Sequence, residues 1–169
     1  HPRDRRQRQM CIRDRDLLVL VVTLKDPITT TSFIDRFLVN AEAYSIETLL
    51  VFNKNDIYDK QETIAVNNII KVYLDIGYKC LKTSVINNHN ILELKKIISD
   101  KTIMFGGHSG VGKTSLINSI DSSLDLKVGD ISSQHLQGKH TTTYAEIFDL
   151  DMKTKLIDTP GIKGFGLIN

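Results

Sequence analysis

A glycine-rich segment at residues 107–114 has the residue types that bind phosphate. Its sequence, GHSGVGKT, matches the pattern G-x-x-x-x-G-K-[ST] at every fixed position. The glycines let backbone N–H groups surround an anion, Lys113 is expected to reach the β- and γ-phosphates, and the Thr114 hydroxyl is expected to bind Mg²⁺. The motif predicts a nucleoside triphosphate site formed by Ser109, Gly110, Val111, Gly112, Lys113, Thr114 and Ser115.

A second motif, NKND at residues 53–56, follows an apolar run and could read a guanine base. The Asp56 carboxylate can accept hydrogen bonds from the N1 and N2 positions of guanine, whereas adenine would leave this carboxylate unpaired. Asn53 can bond the opposite edge of the base and tie loops together, and the Lys54 stem can lie over the base plane. The alternative interpretation is a polar strand-to-helix turn.

The segment at residues 82–85, KTSV, lies at the end of the next expected strand. Backbone N–H groups of Ser84 and Val85 are expected to support the guanine O6. The alternative is that Thr-Ser-Val only ends a strand.

Two further segments have the residues expected to sense a γ-phosphate. DTPG at residues 158–161 predicts that Asp158 holds Mg²⁺ through water and that the Gly161 N–H touches the γ-phosphate. In GKHTTT, residues 138–143, one threonine is expected to complete the Mg²⁺ shell, and we assign it as Thr142. The alternatives are a polar turn and a polar loop before a strand.

The residue that usually orients the attacking water is absent. Many GTPases have a glutamine directly after the D-x-x-G glycine, but Ile162 occupies this position and cannot orient water. His140 is the nearby titratable substitute and the candidate catalytic residue, since an unperturbed histidine titrates close to neutral pH. The alternative is that His140 is a solvated loop residue.

Strands and helices that alternate from residue 16 onward must position these motifs. Apolar and valine-rich runs predict six strands, at residues 17–23, 48–52, 79–83, 102–105, 144–150 and 153–157. Helical spacing predicts helices at residues 32–44, 61–76, 91–98 and 113–120. This alternation indicates an α/β fold with a mostly parallel sheet, which binds ligands at the carboxyl ends of its strands.

Two of these helices carry more detailed expectations. Ser32 is expected to cap the first helix, and Gly77 to follow the end of the second. The second helix is expected to bury a broad apolar face composed of Ile64, Val66, Ile69, Ile70, Val72 and Leu74.

The order of the motifs is circularly permuted. In the common GTPase order the phosphate loop comes first, but here the base motif precedes it and D-x-x-G follows it. This order, with GHSGVGKT, GKHTTT and DTPGIKGFGL, resembles the bacterial ribosome small subunit-dependent GTPase A family. The resemblance covers about residues 16–169 and implies a six-stranded P-loop GTPase fold flanked by helices.

The resemblance also implies a function. Members act in maturation of the small ribosomal subunit, bind its rRNA, and hydrolyse GTP to GDP faster when that subunit stimulates them. They have a hydrophobic residue at the position of Ile162 and a histidine matching His140 as the candidate catalytic group. Asn90 stands where the family often has glycine.

The family's flanking domains lead us to expect a fragment. An oligonucleotide-binding barrel before the GTPase domain and a zinc-binding domain after it are not in this sequence, so zinc is not expected here and residues 16–169 are expected to be a domain truncated after its second switch. A monomer is expected.

Composition separates the first 15 residues from the rest. They contain six of the seven arginines and two aspartates, a net charge of +4, while the other residues carry a net charge of −2. We interpret residues 1–15 as a non-native or disordered basic segment; the alternative is an arm that binds nucleic acid. No leader is recognisable, and Cys11 and Cys80 do not suggest a disulfide framework or a metal site, which together predict a cytoplasmic protein. The longest apolar run is too short to span a bilayer.

Three functions are consistent with these motifs. The first is a GTP-hydrolysing ribosome assembly factor, and the second is a nucleotide-dependent binding module with negligible hydrolysis. The third is an ATP-dependent kinase or transporter subunit, against which Asp56 argues.

Overall fold

Six strands form one sheet in the computed structural model, which describes residues 16–124, 146–150 and 154–158. The strands are β1 (Leu17–Val22), β2 (Thr48–Phe52), β3 (Lys79–Lys82), β4 (Thr102–Gly106), β5 (Glu146–Asp149) and β6 (Lys155–Asp158). Their order across the sheet is β3-β2-β1-β4-β6-β5, and all neighbouring pairs are parallel except β5 with β6. The predicted six-stranded, mostly parallel sheet is therefore confirmed.

In the described part of the chain, four α-helices cover the two faces of the sheet. They are α1 (Thr31–Ala43), α2 (Lys60–Asp75), α3 (Ile91–Ile98) and α4 (Lys113–Ile120), followed by a 3₁₀ turn at Ser122–Leu124. Leu18, Leu20 and Val22 of β1 pack in one core cluster with α1 and α2, while Leu17, Val19 and Val21 pack in the other with α3 and α4. Because β1 is buried on both faces, its sequence is a continuous apolar run without alternation.

The parallel arrangement brings four loops to one edge of the sheet. Parallel neighbours end on the same side, so the segments that follow β1, β2, β3 and β4 all leave from this edge. Three of them contain the predicted base motif, the KTSV segment and the phosphate loop. None of the helices in the described part of the chain is long and apolar enough to cross a membrane.

The start of α1 differs from the prediction. Thr30, in an extended conformation, is the N-cap, and its side chain accepts a hydrogen bond from the Phe33 N–H at 3.3 Å. The predicted cap, Ser32, lies inside the first turn. A threonine and a serine two residues apart are equally good capping candidates in sequence. Which of them caps the helix depends on the path of the preceding loop.

The predicted broad apolar face of α2 is wrong. Val66 and Tyr73 are buried and Ile69 and Ile70 are partly buried, whereas the other predicted members are exposed. Relative exposure is 60% for Ile64, 58% for Val72 and 51% for Leu74. Helical geometry places positions 66, 69, 70 and 73 on one side, so the remaining apolar residues must turn away from the sheet.

The ends of α2 match the expected chemistry. Asp59 caps the helix by accepting a hydrogen bond from the Glu62 N–H at 2.8 Å, and the Glu62 side chain accepts one from the Asp59 N–H at 2.9 Å. Gly77, with φ of 99°, follows the last turn as predicted. The capping residue Asp59 lies three positions after Asp56, the last residue of the base motif. The start of α2 therefore also constrains the position of that motif.

Replacing the α2 cap should lower stability. Asp59→Ala leaves helix N–H groups without a partner, so we expect the free energy of unfolding to fall by about 1 kcal/mol in urea denaturation. Asp75→Ala, at the opposite end of the same helix, is the control and should cost nothing, because an acidic side chain near a helix C-terminus is unfavourable. Equal losses in the two variants would contradict the capping role.

Candidate functional site

The phosphate loop lies between β4 and α4 and surrounds a buried lysine. The Lys113 Nζ donates hydrogen bonds to the carbonyl oxygens of Gly107 and His108, both at 2.8 Å. Lys113 and Thr114 are both buried and begin α4, while Ser109 and Gly110 are exposed at the tip of the loop. The positive charge is thus held inside the loop and next to the N-terminus of a helix, where an anion is favoured.

Three glycines of this loop have conformations or neighbours that exclude a side chain. Gly107, Gly110 and Gly112 have φ of 135°, 84° and 94°. A Cβ on Gly107 would lie 2.2 Å from the Val21 carbonyl oxygen, and one on Gly112 would lie 2.5 Å from Asn53 Nδ2. The glycines of the motif are therefore required by the protein's own packing, in addition to any ligand.

Asn53 joins the base motif to the phosphate loop. Its side-chain Nδ2 donates to the Val111 carbonyl at 2.9 Å, and its Oδ1 accepts from the Thr83 hydroxyl at 3.0 Å. Asn53 is buried, and its backbone N–H donates to the Val22 carbonyl at 2.9 Å. Of the two sequence-based uses of Asn53, the structure therefore has the one that ties loops together.

Asp56 is held by the segment that follows β3. The Ser84 hydroxyl donates a hydrogen bond to Asp56 Oδ1. The Ser84 N–H donates to the His89 carbonyl at 3.2 Å, so this N–H is already paired, and Val85 packs partly buried against the core. The predicted base-reading residues thus lie together, and Ser84 contributes its hydroxyl to the carboxylate, which the sequence did not indicate.

Asn90 precedes α3 in a left-handed backbone conformation. Its φ of 56° and ψ of 18° are left-handed, a region that glycine adopts freely and asparagine tolerates best among the other residues. The Asn90 side chain donates to the Lys82 carbonyl at 2.9 Å and so closes the loop that contains Ser84. Asparagine is thus compatible with the backbone conformation of this loop.

Residues 23–30, the β1–α1 loop, belong to the site although no motif marks them. The Lys54 Nζ donates to the Asp26 carbonyl, and the Leu24 N–H donates to the Tyr58 hydroxyl at 2.8 Å. On the other side, Pro27 stands beside Gly110, where an added Cβ would lie 3.5 Å from Pro27 Cδ. This loop therefore contacts the base motif and lies beside the phosphate loop.

His108 is the histidine of the phosphate loop. Its ring stacks on Phe33 of α1 with centroids 4.0 Å apart. Burial and the charge of Lys113 lower the pKa of His108 below its usual value, which favours the neutral imidazole at neutral pH. His108 thus adds an aromatic contact to the loop without adding a second positive charge beside Lys113.

The predicted γ-phosphate sensors fall largely outside the described residues. Thr142, His140 and Gly161 lie there, as do residues 1–15. Asp158 ends β6 and pairs with Glu146 across the hairpin. Within the described residues no group of three His, Cys, Asp or Glu side chains could hold a metal ion.

The described residues fit a nucleotide. A cradle of left-handed glycines surrounds a buried ammonium and a helix N-terminus, which together suit the phosphates. The Asp56 carboxylate, in the loop after β2, already accepts one hydrogen bond from Ser84. A base edge with two donors could pair with the remaining acceptor sites of this carboxylate. This arrangement can bind the phosphates of a purine nucleotide at one end and its base at the other.

Comparisons with known proteins agree on one family. The sequence model of the RsgA GTPase family matches residues 1–168. A curated protein of Flavobacterium psychrophilum, the small ribosomal subunit biogenesis GTPase RsgA, is 51% identical over 154 residues, which are 91% of this chain and 47% of that protein. The protein of the same name from Christiangramia forsetii is 49% identical over 91% of this chain and 49% of its own length.

Two solved structures have a similar fold. YjeQ from Thermotoga maritima is 37% identical, with a TM-score of 0.71 over 87% of this chain and 48% of that one. YloQ, described as a circularly permuted GTPase, is 28% identical, with a TM-score of 0.62 over 88% of this chain and 45% of its own. The predicted permuted fold is therefore confirmed, and the chain spans about half the length of the curated relatives it matches.

A methyl group on Gly112 should separate the two loops. Gly112→Ala places a Cβ against Asn53 Nδ2, while Gly77→Ala has a similar positive φ but no atom within 4 Å. Each substitution should lower the free energy of unfolding by about 1 kcal/mol because of the left-handed backbone. Gly112→Ala should lower it by roughly 2 kcal/mol more because of the clash. Urea denaturation of both variants measures the difference. Equal stability of the two would show that the contact with Asn53 does not constrain Gly112.

Proposed function

The chain belongs to the RsgA GTPase family, and on this basis we propose that it binds and hydrolyses GTP in the assembly of the small ribosomal subunit. The observation that carries the proposal is the hydrogen bond from Asn53 to Val111, which joins a base-reading loop to a phosphate loop. This bond holds the predicted base-reading and phosphate-binding segments next to each other, so that one nucleotide could contact both.

In the proposed complex the protein recognises the base and the phosphates separately. Asp56 accepts the N1 and N2 hydrogens of guanine, Lys54 covers the base plane, and Ser84 and Val85 lie near the O6 side. The loop 109–115 surrounds the phosphates, with Lys113 between the β- and γ-groups. ATP is disfavoured because adenine would leave the Asp56 carboxylate desolvated and unpaired.

The metal and the switch residues complete the proposal. Thr114, Thr142 and Asp158 would hold Mg²⁺, which neutralises developing charge on the phosphates. Gly161 would contact the γ-phosphate, and His140 takes the place of the water-orienting glutamine, since Ile162 cannot. The buried Lys113 and its helix N-terminus support this proposal, because they stabilise charge that increases at the phosphates during transfer.

The ribosomal role rests on the relatives. The curated relatives are named small ribosomal subunit biogenesis GTPases, so we propose this subunit and its rRNA as partners. Such a role would place the protein in the cytoplasm. The monomeric state and the foreign origin of residues 1–15 stay predictions.

Exchanging the base-reading carboxylate for an amide should change the preferred nucleotide. Asp56→Asn presents an N–H₂ donor where the carboxylate only accepts, so we expect GDP affinity to fall at least about 100-fold and xanthosine diphosphate to bind better than GDP. Asp59→Asn is the control, because asparagine caps α2 as well as aspartate does and the charge change is the same. Calorimetric titration of both nucleotides measures the affinities, and unchanged GDP binding in Asp56→Asn would refute the base assignment.

Removing the candidate catalytic histidine should affect stimulated hydrolysis alone. Without a glutamine, we expect a basal rate on the order of 10⁻³ s⁻¹ or below. His140→Ala should leave GTP binding and this rate nearly unchanged but abolish most stimulation by small subunits. The control is His135→Ala, which replaces a histidine outside the GKHTTT segment and should retain the stimulation. The assay follows phosphate release by the full-length protein with and without subunits.

Two outcomes of this assay would change the proposal. Full stimulation of His140→Ala would exclude the histidine and indicate a catalytic group supplied by the ribosome. No stimulation of the unmodified protein would favour a nucleotide-dependent binding module.

A further inference from the structure

Tyr58 links two loops of the site through its hydroxyl group. It stands two residues after Asp56, and its half-buried ring packs against the core cluster under α1 and α2. The hydroxyl accepts a hydrogen bond from the Leu24 N–H at 2.8 Å and donates one to the Asn53 carbonyl at 3.3 Å. Burial raises the pKa of Tyr58, so the hydroxyl keeps its proton and can donate.

We propose that Tyr58 is a positioning residue for guanine recognition, which holds the Asn53 backbone against the β1–α1 loop and thereby sets where Asp56 meets the base. The inference rests on the proposed binding of a guanine nucleotide and extends it to a residue that does not contact the ligand. No sequence motif marks Tyr58, because its role depends on a partner 34 positions away.

The peptide that Tyr58 holds is the one that directs the base motif. The other hydrogen-bonding groups of Asn53 already have partners, since its N–H pairs with Val22 and its side chain with Val111 and Thr83. The Asn53 carbonyl belongs to the peptide that enters Lys54, whose φ of 60° turns the chain toward Asp56. Rotation of this peptide would change the direction of every residue that follows, so a hydrogen bond on its carbonyl controls the angle of the carboxylate.

The loop on the other side of Tyr58 is itself anchored. The Lys25 Nζ pairs with the Glu62 carboxylate at 2.9 Å, and the Lys54 Nζ bonds the Asp26 carbonyl. Pro27 of the same loop stands beside Gly110 of the phosphate loop. Tyr58 therefore connects the base motif to a loop that lies beside the phosphate loop.

This role should be visible in the choice between guanine and hypoxanthine. Guanine offers Asp56 two donors, N1–H and the 2-amino group, whereas hypoxanthine offers only N1–H. A two-point hydrogen bond depends more strongly on the angle of the carboxylate than a one-point bond does. Loosening the base motif should therefore reduce the preference for GDP over inosine diphosphate, while a general loss of stability would weaken both nucleotides by the same factor.

The test compares two tyrosine-to-phenylalanine variants in the full chain. Tyr58→Phe removes the hydroxyl and keeps the ring. Tyr73→Phe is the matched control, because its hydroxyl donates to Asp35 at 2.8 Å between α1 and α2, away from the site. Calorimetric titration with GDP and with inosine diphosphate gives the ratio of dissociation constants, and circular dichroism with thermal unfolding verifies that both variants fold.

The expected result is a change of ratio in one variant only. Tyr58→Phe should lower the preference for GDP by about three- to tenfold, the worth of one hydrogen bond, and Tyr73→Phe should lower thermal stability with an unchanged ratio. An unchanged ratio in Tyr58→Phe, or the same fall in both variants, would overturn the role of Tyr58. A wild-type protein without preference for GDP would instead overturn the proposed base reading itself.

Discussion

The hydrogen bond from the Asn53 amide to the Val111 carbonyl is the contact on which the rest of the site depends. It is buried, it spans 58 positions of the chain, and it joins the loop after β2 to the loop after β4 across the intervening strand β1. A buried amide that lost this partner would be left unsatisfied, so the two loops are favoured in one relative position. Contacts within the protein thereby hold these two loops together.

This contact also limits what the phosphate loop can be. Gly112 faces Asn53 so closely that a methyl group has no room, and Gly107 faces the Val21 carbonyl in the same way. The glycines that allow phosphate to approach the backbone are thus the same glycines that allow the strands and loops to approach one another. A side chain at either position would therefore disturb the packing as well as the predicted phosphate binding.

The β1–α1 loop gives the site a second connection. Asp26 and Leu24 are bonded by Lys54 and Tyr58 of the base loop, and Pro27 stands against the phosphate loop. Together with the direct bond from Asn53, these contacts close a ring of three loops around the carboxyl edge of the sheet. A ring resists distortion better than a single link does, because moving one loop requires breaking contacts with both others.

The sequence by itself determined the fold class, the order of the strands along the chain and the chemistry of the motifs. Continuous apolar runs predict buried strands, and the spacing of glycine, lysine and threonine at 107–114 predicts phosphate binding, since both depend on neighbours along the chain. Only the tertiary structure decided that Thr30 caps α1, that Ile64 and Val72 are exposed, and that Tyr58 and Pro27 belong to the site. These features depend on contacts between segments that are tens of residues apart, and a local sequence pattern does not show which distant segment a residue will contact.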